Sequence, residues 1–554
     1  MSKQNPKKQD AATKRENTIV MIIAAVLAVA LVVFATITVV NTIRKDNPSA
    51  DGTTGGGTTA PTIDAAAEGE KLKNTIALTV GDHQLNAVEL NYYYTEIVNQ
   101  FYSEYYYYIL YLGMIDTKKP LNEQYYDEEK KVTWADYFLG VAEDGIKSTY
   151  MLCDLAEKEG FTLSKEEQNY LTTMRQSIED YAKQYKYADV NSYLVDYFGY
   201  GADIDSYMAY TERALLADAY YSHYADSLEY TEEQLREFES SKMHQYHSYN
   251  FATYYLSTDK FLTGGVEGSD GKVTYTDEQK AAAIEAATAA VESMKNGSCE
   301  SLEAFNAMIL GMEVNSSLTS VSITENKDIL YSKVDTLFQE WVCSADRSFG
   351  DVTVIAKTTT TGTGDDAVTT INGYYILWFN GINDNQFALK DVRHLLVLFK
   401  DKDGKTYNDG VSTFTDEQKA AAKAAAEKLL AEWKAGEMTE NSFSQLVIKN
   451  SEDPGSAANG GLYQYIYPGQ MVKNFQDWCY EEGRQFADTG LVESVYGYHI
   501  MFYVGDSDIT YRDFMVQNDL RNADLSKWHE DLVSSVEVVE VCLDYCKLNM
   551  KLGG

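Results

Sequence analysis

Cysteine is scarce in this sequence. Its six residues are Cys153, Cys299, Cys343, Cys479, Cys542 and Cys546. Six thiols among 554 residues are too few for a disulfide framework, and no histidine stands beside Cys542 or Cys546 at the spacing of a zinc site. We therefore expect buried thiols and no metal site.

Basic residues are also in deficit. The chain has 47 Lys and Arg against 84 Asp and Glu, which gives a formal net charge of -37. Proteins that bind nucleic acids neutralise phosphates with clustered basic side chains. This charge balance therefore argues against a nucleic-acid partner.

One long uncharged apolar run lies near the N-terminus, from Ile19 to Val40, and is long enough for a membrane-spanning helix. No clear cleavage site and no cysteine for lipid attachment follow it, so we expect residues 19–42 to be a transmembrane anchor. Residues 1–18 form a basic tail, which the positive-inside tendency assigns to the cytoplasm. The expected localisation is the cell membrane, single-pass, with the bulk of the chain outside.

Beyond the apolar run, residues 43–70 are rich in Gly, Thr, Ala and Ser and are expected to form a flexible stalk. Residues 71–242 begin with a short strand-like run and then show mostly helical patterns. Helices are predicted at Trp134–Glu159, Ser164–Tyr187, Asn191–Phe198 and Asp203–Leu228. Ser164 with Glu167, and Thr231 with Gln234, have the spacing of capping boxes.

Nine tyrosines lie between Tyr92 and Tyr111. Tyrosine commonly fills the edge of a core and leaves its hydroxyl in water. A concentration of such rings also offers adhesive, sequence-tolerant contacts to unfolded chains. Both interpretations stay open for this segment.

Residues 243–388 contain a degenerate copy of residues 389–508. The eight residues from Thr276 to Ala283 recur letter for letter from Thr415 to Ala422, and each run begins as a capped helix. Duplication of one segment is the simplest account of this repeat.

The two copies differ at several polar and apolar positions. The first copy has Tyr375 where the second has His499, and Val334 where the second has Met471. Near the position of His394 it reads Tyr249-Asn250-Phe251-Ala252. We expect the first copy to keep the fold without the chemistry, as a spacer or a client-binding surface.

Several spaced motifs occur in the second copy: V-R-H-L-L-V at 392–397, S-E-D-P-G-S-A-A-N-G-G at 451–461, G-Q-M-V-K-N-F at 469–475 and Y-G-Y-H-I at 496–500. In this order, over about 115 residues, they resemble a parvulin-type peptidyl-prolyl isomerase. The strand-then-helices order of residues 71–242 resembles the chaperone domain of SurA- and PrsA-like foldases. In that family the last helix packs back on the chaperone domain, which implies such a role for residues 509–554.

The resemblance implies roles for individual residues. The implied catalytic residues are His394, Asp453, His499 and Ser494. The implied proline pocket consists of Met471 and Phe475, with Leu462 nearby. The sequence departs from the family's usual G-G-D-L-G at this point, because Gly461 is followed directly by Leu462 and Tyr463.

The proposed chemistry suits these residue types. Rotation about an X-Pro bond is opposed by roughly 18 to 20 kcal/mol of lost resonance, and no bond has to break. An apolar slot that grips the prolyl ring and excludes water favours the twisted, less polar transition state. A single histidine in an apolar strand is usually a core residue whose hydrogen bonds are satisfied. Two histidines that flank this loop in the order found in the family instead favour an active site.

The fold class expected is therefore α+β: a transmembrane helix, a mostly helical chaperone domain completed by the C-terminal helix, and two parvulin-like domains, the first degenerate. The expected function is extracytoplasmic isomerisation of X-Pro bonds in secreted proteins, with chaperone binding of unfolded clients and no cofactor. Two alternatives remain. One is a holding chaperone without catalysis, and the other is a surface-interaction protein with one fixed partner.

Overall fold

The computed structural model describes residues 64–362, 367–544 and 546–552. The expected basic tail, the expected transmembrane anchor and residues 43–63 of the expected stalk lie outside these residues. Within the described ranges, no helix is both long and apolar enough to cross a membrane. The fold is mixed α and β, and it divides into two compact units. One comprises the described residues up to Glu229 together with those from Arg521 onward, and the other comprises Tyr230–Leu520.

The first unit is mostly helical. Its complete helices are α1 Ala65–Asn74, α2 Ala87–Glu104, α3 Tyr106–Leu112, α4 Trp134–Glu159, α5 Lys165–Gln184, α6 Val190–Phe198 and α7 Ile204–Ser227. The predicted helices are confirmed to within three residues at each end. Ser164 and Glu167 form the predicted capping box, and Gly160 ends α4 in the left-handed conformation that glycine adopts most readily.

A three-stranded antiparallel sheet joins both ends of the described chain in this unit. Its strands are β1 Ile76–Val80, β2 His83–Asn86 and β16 Val538–Glu540, in the order β16-β1-β2. A separate hairpin consists of β3 Tyr125–Asp127 and β4 Val132–Thr133. The last helix, α15 Tyr511–Ser534, ends in this unit, where Trp528 stacks on Tyr224 with ring centroids 3.9 Å apart. Residues from the two ends of the described chain therefore complete one unit.

The tyrosine-rich segment divides between two environments. On α2, Tyr92, Tyr93 and Tyr94 are buried, and Tyr92 packs edge-on against neighbouring aromatic rings of the core. On α3, Tyr107 and Tyr111 are 60% and 70% exposed. The first part of the segment is therefore core, and only the second part offers rings to a partner.

The second unit contains the two copies. Its complete helices are α8 Glu232–Ser240, α9 Asp277–Glu292, α10 Leu302–Leu310, α11 Thr336–Val342, α12 Asp416–Lys434, α13 Glu440–Asn450 and α14 Lys473–Cys479. Strands of the first copy are β5 Ser248–Ser257, β6 Val266–Glu267, β7 Val273–Thr274, β8 Gly297–Ser298, β9 Thr324–Leu330, β10 Asp351–Thr361 and β11 Val368–Asn383. Strands of the second copy are β12 Ala388–Leu398, β13 Leu462–Ile466, β14 Thr489–Glu493 and β15 Gly497–Thr510.

Both copies have the same antiparallel topology. The sheet of the first copy has the order β9-β5-β11-β10-β8, and the sheet of the second has the order β13-β12-β15-β14. Each copy also has two helices between its first two main strands and one helix after them. The capping boxes at Thr276 and Thr415 start the equivalent helices α9 and α12. The repeated sequence thus corresponds to a repeated order of elements.

The sheet of the second copy buries a different core on each face. Leu395, Ile500 and Phe502 pack toward α12 and α13. Val392 and Met501 lie on the other face with Phe475 of α14. Because side chains alternate along a strand, residues of the second set share their face with the predicted site.

Candidate active site

The two predicted histidines lie on adjacent strands at the centre of this sheet. His394 of β12 pairs with Met501 of β15, and His499 of β15 pairs with Leu396 of β12. The histidines are therefore diagonal neighbours on one face. Their Nδ1 atoms are 3.1 Å apart, and both side chains are buried.

Asp453 reaches the histidines from the loop that follows α13. Its Oδ2 atom lies 3.1 Å from Nε2 of His394 and 2.5 Å from Oγ of Ser456. Oγ of Ser456 is also 3.0 Å from the same imidazole nitrogen. The loop returns to the sheet at Gly461, whose φ is +73° and where a Cβ would lie 2.1 Å from the His394 carbonyl oxygen. Only glycine permits this close approach.

Ser494 completes the row at its other end. Its Oγ lies 2.8 Å from Nε2 of His499, and the backbone N–H of Tyr496 donates to that oxygen over 3.1 Å. The structure therefore brings all four predicted catalytic residues into one hydrogen-bonded row: Asp453, His394, His499 and Ser494.

The carboxylate determines where the protons lie along this row. An ionised Asp453 only accepts, so Nε2 of His394 donates to it and Nδ1 of a neutral His394 accepts from Nδ1–H of His499. Nε2 of His499 then accepts from the hydroxyl of Ser494. One set of tautomers therefore gives every residue of the row a hydrogen-bond partner.

Burial and hydrogen bonds hold the two ends of this row in fixed charge states. The hydrogen bond from His394 holds the pKa of Asp453 well below its usual range, against the opposing effect of burial. Burial first, and then the neighbouring His394, lower the pKa of His499 to about 3. Around neutral pH the row thus carries a carboxylate at one end and a neutral imidazole at the other.

The lowered pKa of His499 predicts a pH dependence of stability. The unfolded chain binds a proton on this residue below a pH of about 6.5, whereas the folded chain does so only near pH 3. The free energy of unfolding should therefore be highest above pH 6.5 and fall as the pH drops toward 3. Thermal denaturation at pH 7.5, 6 and 4.5 measures this loss. The variant His499→Asn should lose less stability over the same interval, and an equal loss in both proteins would contradict the assignment.

The predicted pocket residues lie on the same face. Phe475 is fully buried, and its ring is edge-on to both imidazoles, with centroids 5.3 Å from each. Met471 is half-buried against the same cluster. An apolar wall therefore stands directly beside the imidazole pair.

Leu462 does not lie at this site. It pairs with Arg393, which hydrogen-bonds to Glu440 on the helical side of the sheet, whereas Tyr463 pairs with Val392 on the face of the histidines. The ring of Tyr463 is 5.2 Å from that of His394, and its hydroxyl is 3.4 Å from Oδ2 of Asp453. Because alternate residues of a strand face opposite sides, Tyr463 faces the histidines and Leu462, one position earlier, faces away from them.

Ser456 and Tyr463 are therefore the site residues that the sequence interpretation missed. Tyr463 and Ile466 both face the core beneath the histidines although they are three residues apart, because the register of β13 against β12 shifts between them, so strict alternation gives no clear signal for Tyr463. No local pattern marks Ser456, whose contacts depend on the fold of the loop.

A cavity of about 560 Å³ opens next to Ser494. Its apolar lining includes Phe399, Phe414, Val472 and Val495. A peptide bound at the imidazole pair would therefore find room here for a neighbouring side chain.

In the first copy, strand pairing identifies the counterparts of the catalytic residues. Tyr375 occupies the position of His499, and Thr253, paired with Leu377, occupies the position of His394. The counterpart of His394 is thus Thr253, one residue beyond the stretch Tyr249–Ala252 that the sequence suggested. Lys357, paired with Gly373, corresponds to Ser494. None of the three can form the row of the second copy.

Residues 394–504 match the family model of the rotamase domain, described as a PPIC-type PPIASE domain. The chain contains a parvulin-type peptidyl-prolyl isomerase domain. The match begins at His394 and includes Asp453, Ser494 and His499.

Curated relatives resemble the chain over limited segments. It is 45% identical over 60 residues to foldase protein PrsA of Geobacillus sp. (strain WCH70), a match that covers 11% of this chain and 21% of that protein. It is 30% identical over 139 residues to chaperone SurA of Pseudomonas putida, which covers 24% of this chain and 30% of that protein. The chain thus spans less than a third of the length of these relatives.

Two solved structures match the chain at low sequence identity and low TM-score. PrsA from Bacillus subtilis is 20% identical, with 27% of this chain and 48% of that chain covered and a TM-score of 0.18. The foldase protein PrsA from Lactococcus lactis is 12% identical, with 70% and 97% covered and a TM-score of 0.15.

All six cysteines are free thiols. In the described part of the chain, no group of three or more His, Cys, Asp or Glu side chains is arranged to hold a metal ion.

Proposed function

We propose that this protein is a membrane-anchored extracytoplasmic foldase. Residues 389–508 isomerise X-Pro bonds of newly secreted proteins, and residues 71–242 with 509–554 bind unfolded clients. Residues 243–388 form the non-catalytic parvulin-like domain. The N-terminal apolar run anchors the chain in the cell membrane with its bulk outside, so that clients meet the foldase at a high local concentration.

The observation that carries this proposal is the hydrogen-bonded row from Asp453 through His394 and His499 to Ser494, with Phe475 against both rings. A prolyl ring held against Phe475 and Met471 would lie beside the imidazole pair, whose tautomers the hydrogen-bonded row fixes. As the amide twists, it loses resonance, and its carbonyl oxygen loses negative charge. A nearby carboxylate therefore repels this oxygen less in the twisted transition state than in the planar ground state. The row thus shapes the field around the amide and breaks no bond.

The test is an isomerisation assay on a proline-containing peptide with the full chain. We expect acceleration over the uncatalysed reaction, and loss of most of it in the double variant His394→Ala, His499→Ala. Circular dichroism checks that the variant keeps its fold. An accelerating double variant would mean that the site lies elsewhere.

A holding chaperone without catalysis is the second candidate. The complete burial of Phe475 favours it, because a prolyl ring reaches this side chain only when neighbouring side chains move. Suppression of client aggregation by a chain that does not accelerate isomerisation would support this candidate. Saturable binding of a single ligand without suppression would favour a surface-interaction protein.

A further inference from the structure

The first copy has an aromatic surface at the position of the active site. Tyr375 contacts Phe338 edge-on and Tyr255 at a tilt, with ring centroids 4.9 Å apart in each pair. Tyr255 is 36% exposed, and its hydroxyl donates to the backbone carbonyl of Asn372 over 3.1 Å. Phe338 corresponds to Phe475 of the second copy. The apolar wall is therefore kept and widened where the imidazoles are lost.

A lysine stands over these rings. Nζ of Lys357 is 5.4 Å from the ring centroid of Tyr255 and 5.9 Å from that of Tyr375, at the outer range of a cation–π contact. The side chain is exposed, and among the described residues it makes no ion pair with a carboxylate. Within the described ranges, no carboxylate therefore neutralises its ammonium group.

Lys357 has no charged neighbour on the strands that carry the two tyrosines, and on β9 of the same sheet Glu325 is paired with Lys327. Strands β5 and β11 contain no charged residue, and the other charge on β10, Asp351, is paired with Arg347. The chain as a whole is strongly acidic, with a formal net charge of -37. A lysine that no described carboxylate neutralises, above two tyrosine rings, is therefore complementary to a peptide segment in which a carboxylate lies next to an apolar ring.

We infer that this surface of Tyr255, Tyr375 and Lys357 is a second, non-catalytic peptide site that binds extended client segments in which an acidic residue precedes proline. The prolyl ring packs on the tyrosine faces, and the carboxylate meets the Lys357 ammonium. Isomerisation does not follow, because Thr253 and Tyr375 cannot provide the paired imidazoles. This inference rests on the proposed function for the existence of unfolded clients.

The test is fluorescence anisotropy with the full chain and a fluorescein-labelled hexapeptide that contains a central Glu-Pro pair. Matched peptides carry Gln-Pro, which removes the charge, or Glu-Ala, which removes the ring. We expect Glu-Pro to bind more tightly than either. The variant Lys357→Gln should weaken Glu-Pro binding roughly five- to tenfold, as expected for one charge-assisted contact at a surface, and leave Gln-Pro binding unchanged.

Lys260→Gln is the matched control. Lys260 is also exposed and also lies over a tyrosine ring of the first copy, Tyr254, at 5.6 Å, but outside the proposed site. This variant should bind Glu-Pro as the natural chain does. Neither lysine variant should change the isomerisation of a neutral proline peptide.

Three results would overturn the inference. One is equal affinity for Glu-Pro and Gln-Pro in the natural chain, and another is an equal effect of the two lysine variants. The third is loss of Glu-Pro binding in Asp453→Ala but not in Lys357→Gln, which would place the peptide at the second copy. Absence of isomerase activity with retained Lys357-dependent binding would contradict only the proposed catalysis.

Discussion

Asp453→Ala is expected to lower kcat/KM for a proline-containing peptide by about ten- to a hundredfold. The substitution removes the acceptor that fixes the His394 tautomer and also the negative charge beside the imidazole pair. Hydrogen bonds to charged groups typically contribute roughly 1.5 to 3 kcal/mol, and each 1.36 kcal/mol of lost transition-state stabilisation costs about tenfold in rate. Protease-coupled isomerisation kinetics with purified full chain measure the change.

Asp453→Asn separates the two contributions. Its amide oxygen can still accept from Nε2 of His394, so the tautomers are kept while the charge is removed. We expect an activity between those of the natural chain and Asp453→Ala. If Asp453→Asn is as active as the natural chain, the charge has no catalytic role, and the carboxylate only positions His394.

Phe475→Ala is expected to cost about 3 to 5 kcal/mol of unfolding free energy, because the side chain is fully buried against the imidazoles and the apolar side chains on the same face of the sheet. It should also raise KM, since the wall of the proline pocket is lost. Denaturant titration followed by tryptophan fluorescence gives the first quantity, and steady-state isomerisation kinetics under conditions where the variant is folded give the second.

Phe338→Ala in the first copy is the matched control. Phe338 occupies the same position on the equivalent helix and is also buried. We expect a comparable loss of stability without a rise in KM. A rise in KM with Phe338→Ala as well would mean that the measured effect comes from general destabilisation and not from the proline pocket.

Local sequence patterns predicted the helices well. The boundaries of α4 agree with the prediction to the residue, because Thr133 and Gly160 provide start and stop signals that depend only on neighbouring residues. The repeat from Thr276 and Thr415 likewise identified equivalent helices. Helix caps and sequence repeats involve contiguous residues, so they can be identified without knowledge of the fold.

Contacts between residues far apart in the sequence could not be predicted from local patterns. The pairing of β16 with β1 joins residues more than 450 positions apart, and no local pattern names a partner at that distance. The division of the tyrosine segment between core and surface depends on which helices α2 meets. Both features are set by tertiary packing.

The candidate site shows the same contrast. His394 and His499 were identified from their motifs, and the structure puts their Nδ1 atoms 3.1 Å apart. The resemblance implies Leu462 as a neighbour of the proline pocket, but the structure puts Tyr463, and not Leu462, on the face of the histidines. A motif names residue types in order, whereas the register of the strand decides which of them face the site.

The sheet β16-β1-β2 has a consequence for biosynthesis. The strand β1 is made early, but β16, the strand that pairs with its other edge, is made more than 450 residues later. The isomerase-containing unit has all its residues before then, so it can reach its native state first. The helical unit keeps this edge of β1 unpaired until residues 538–540 have been made, so its sheet can be completed only after the isomerase-containing unit has been synthesised.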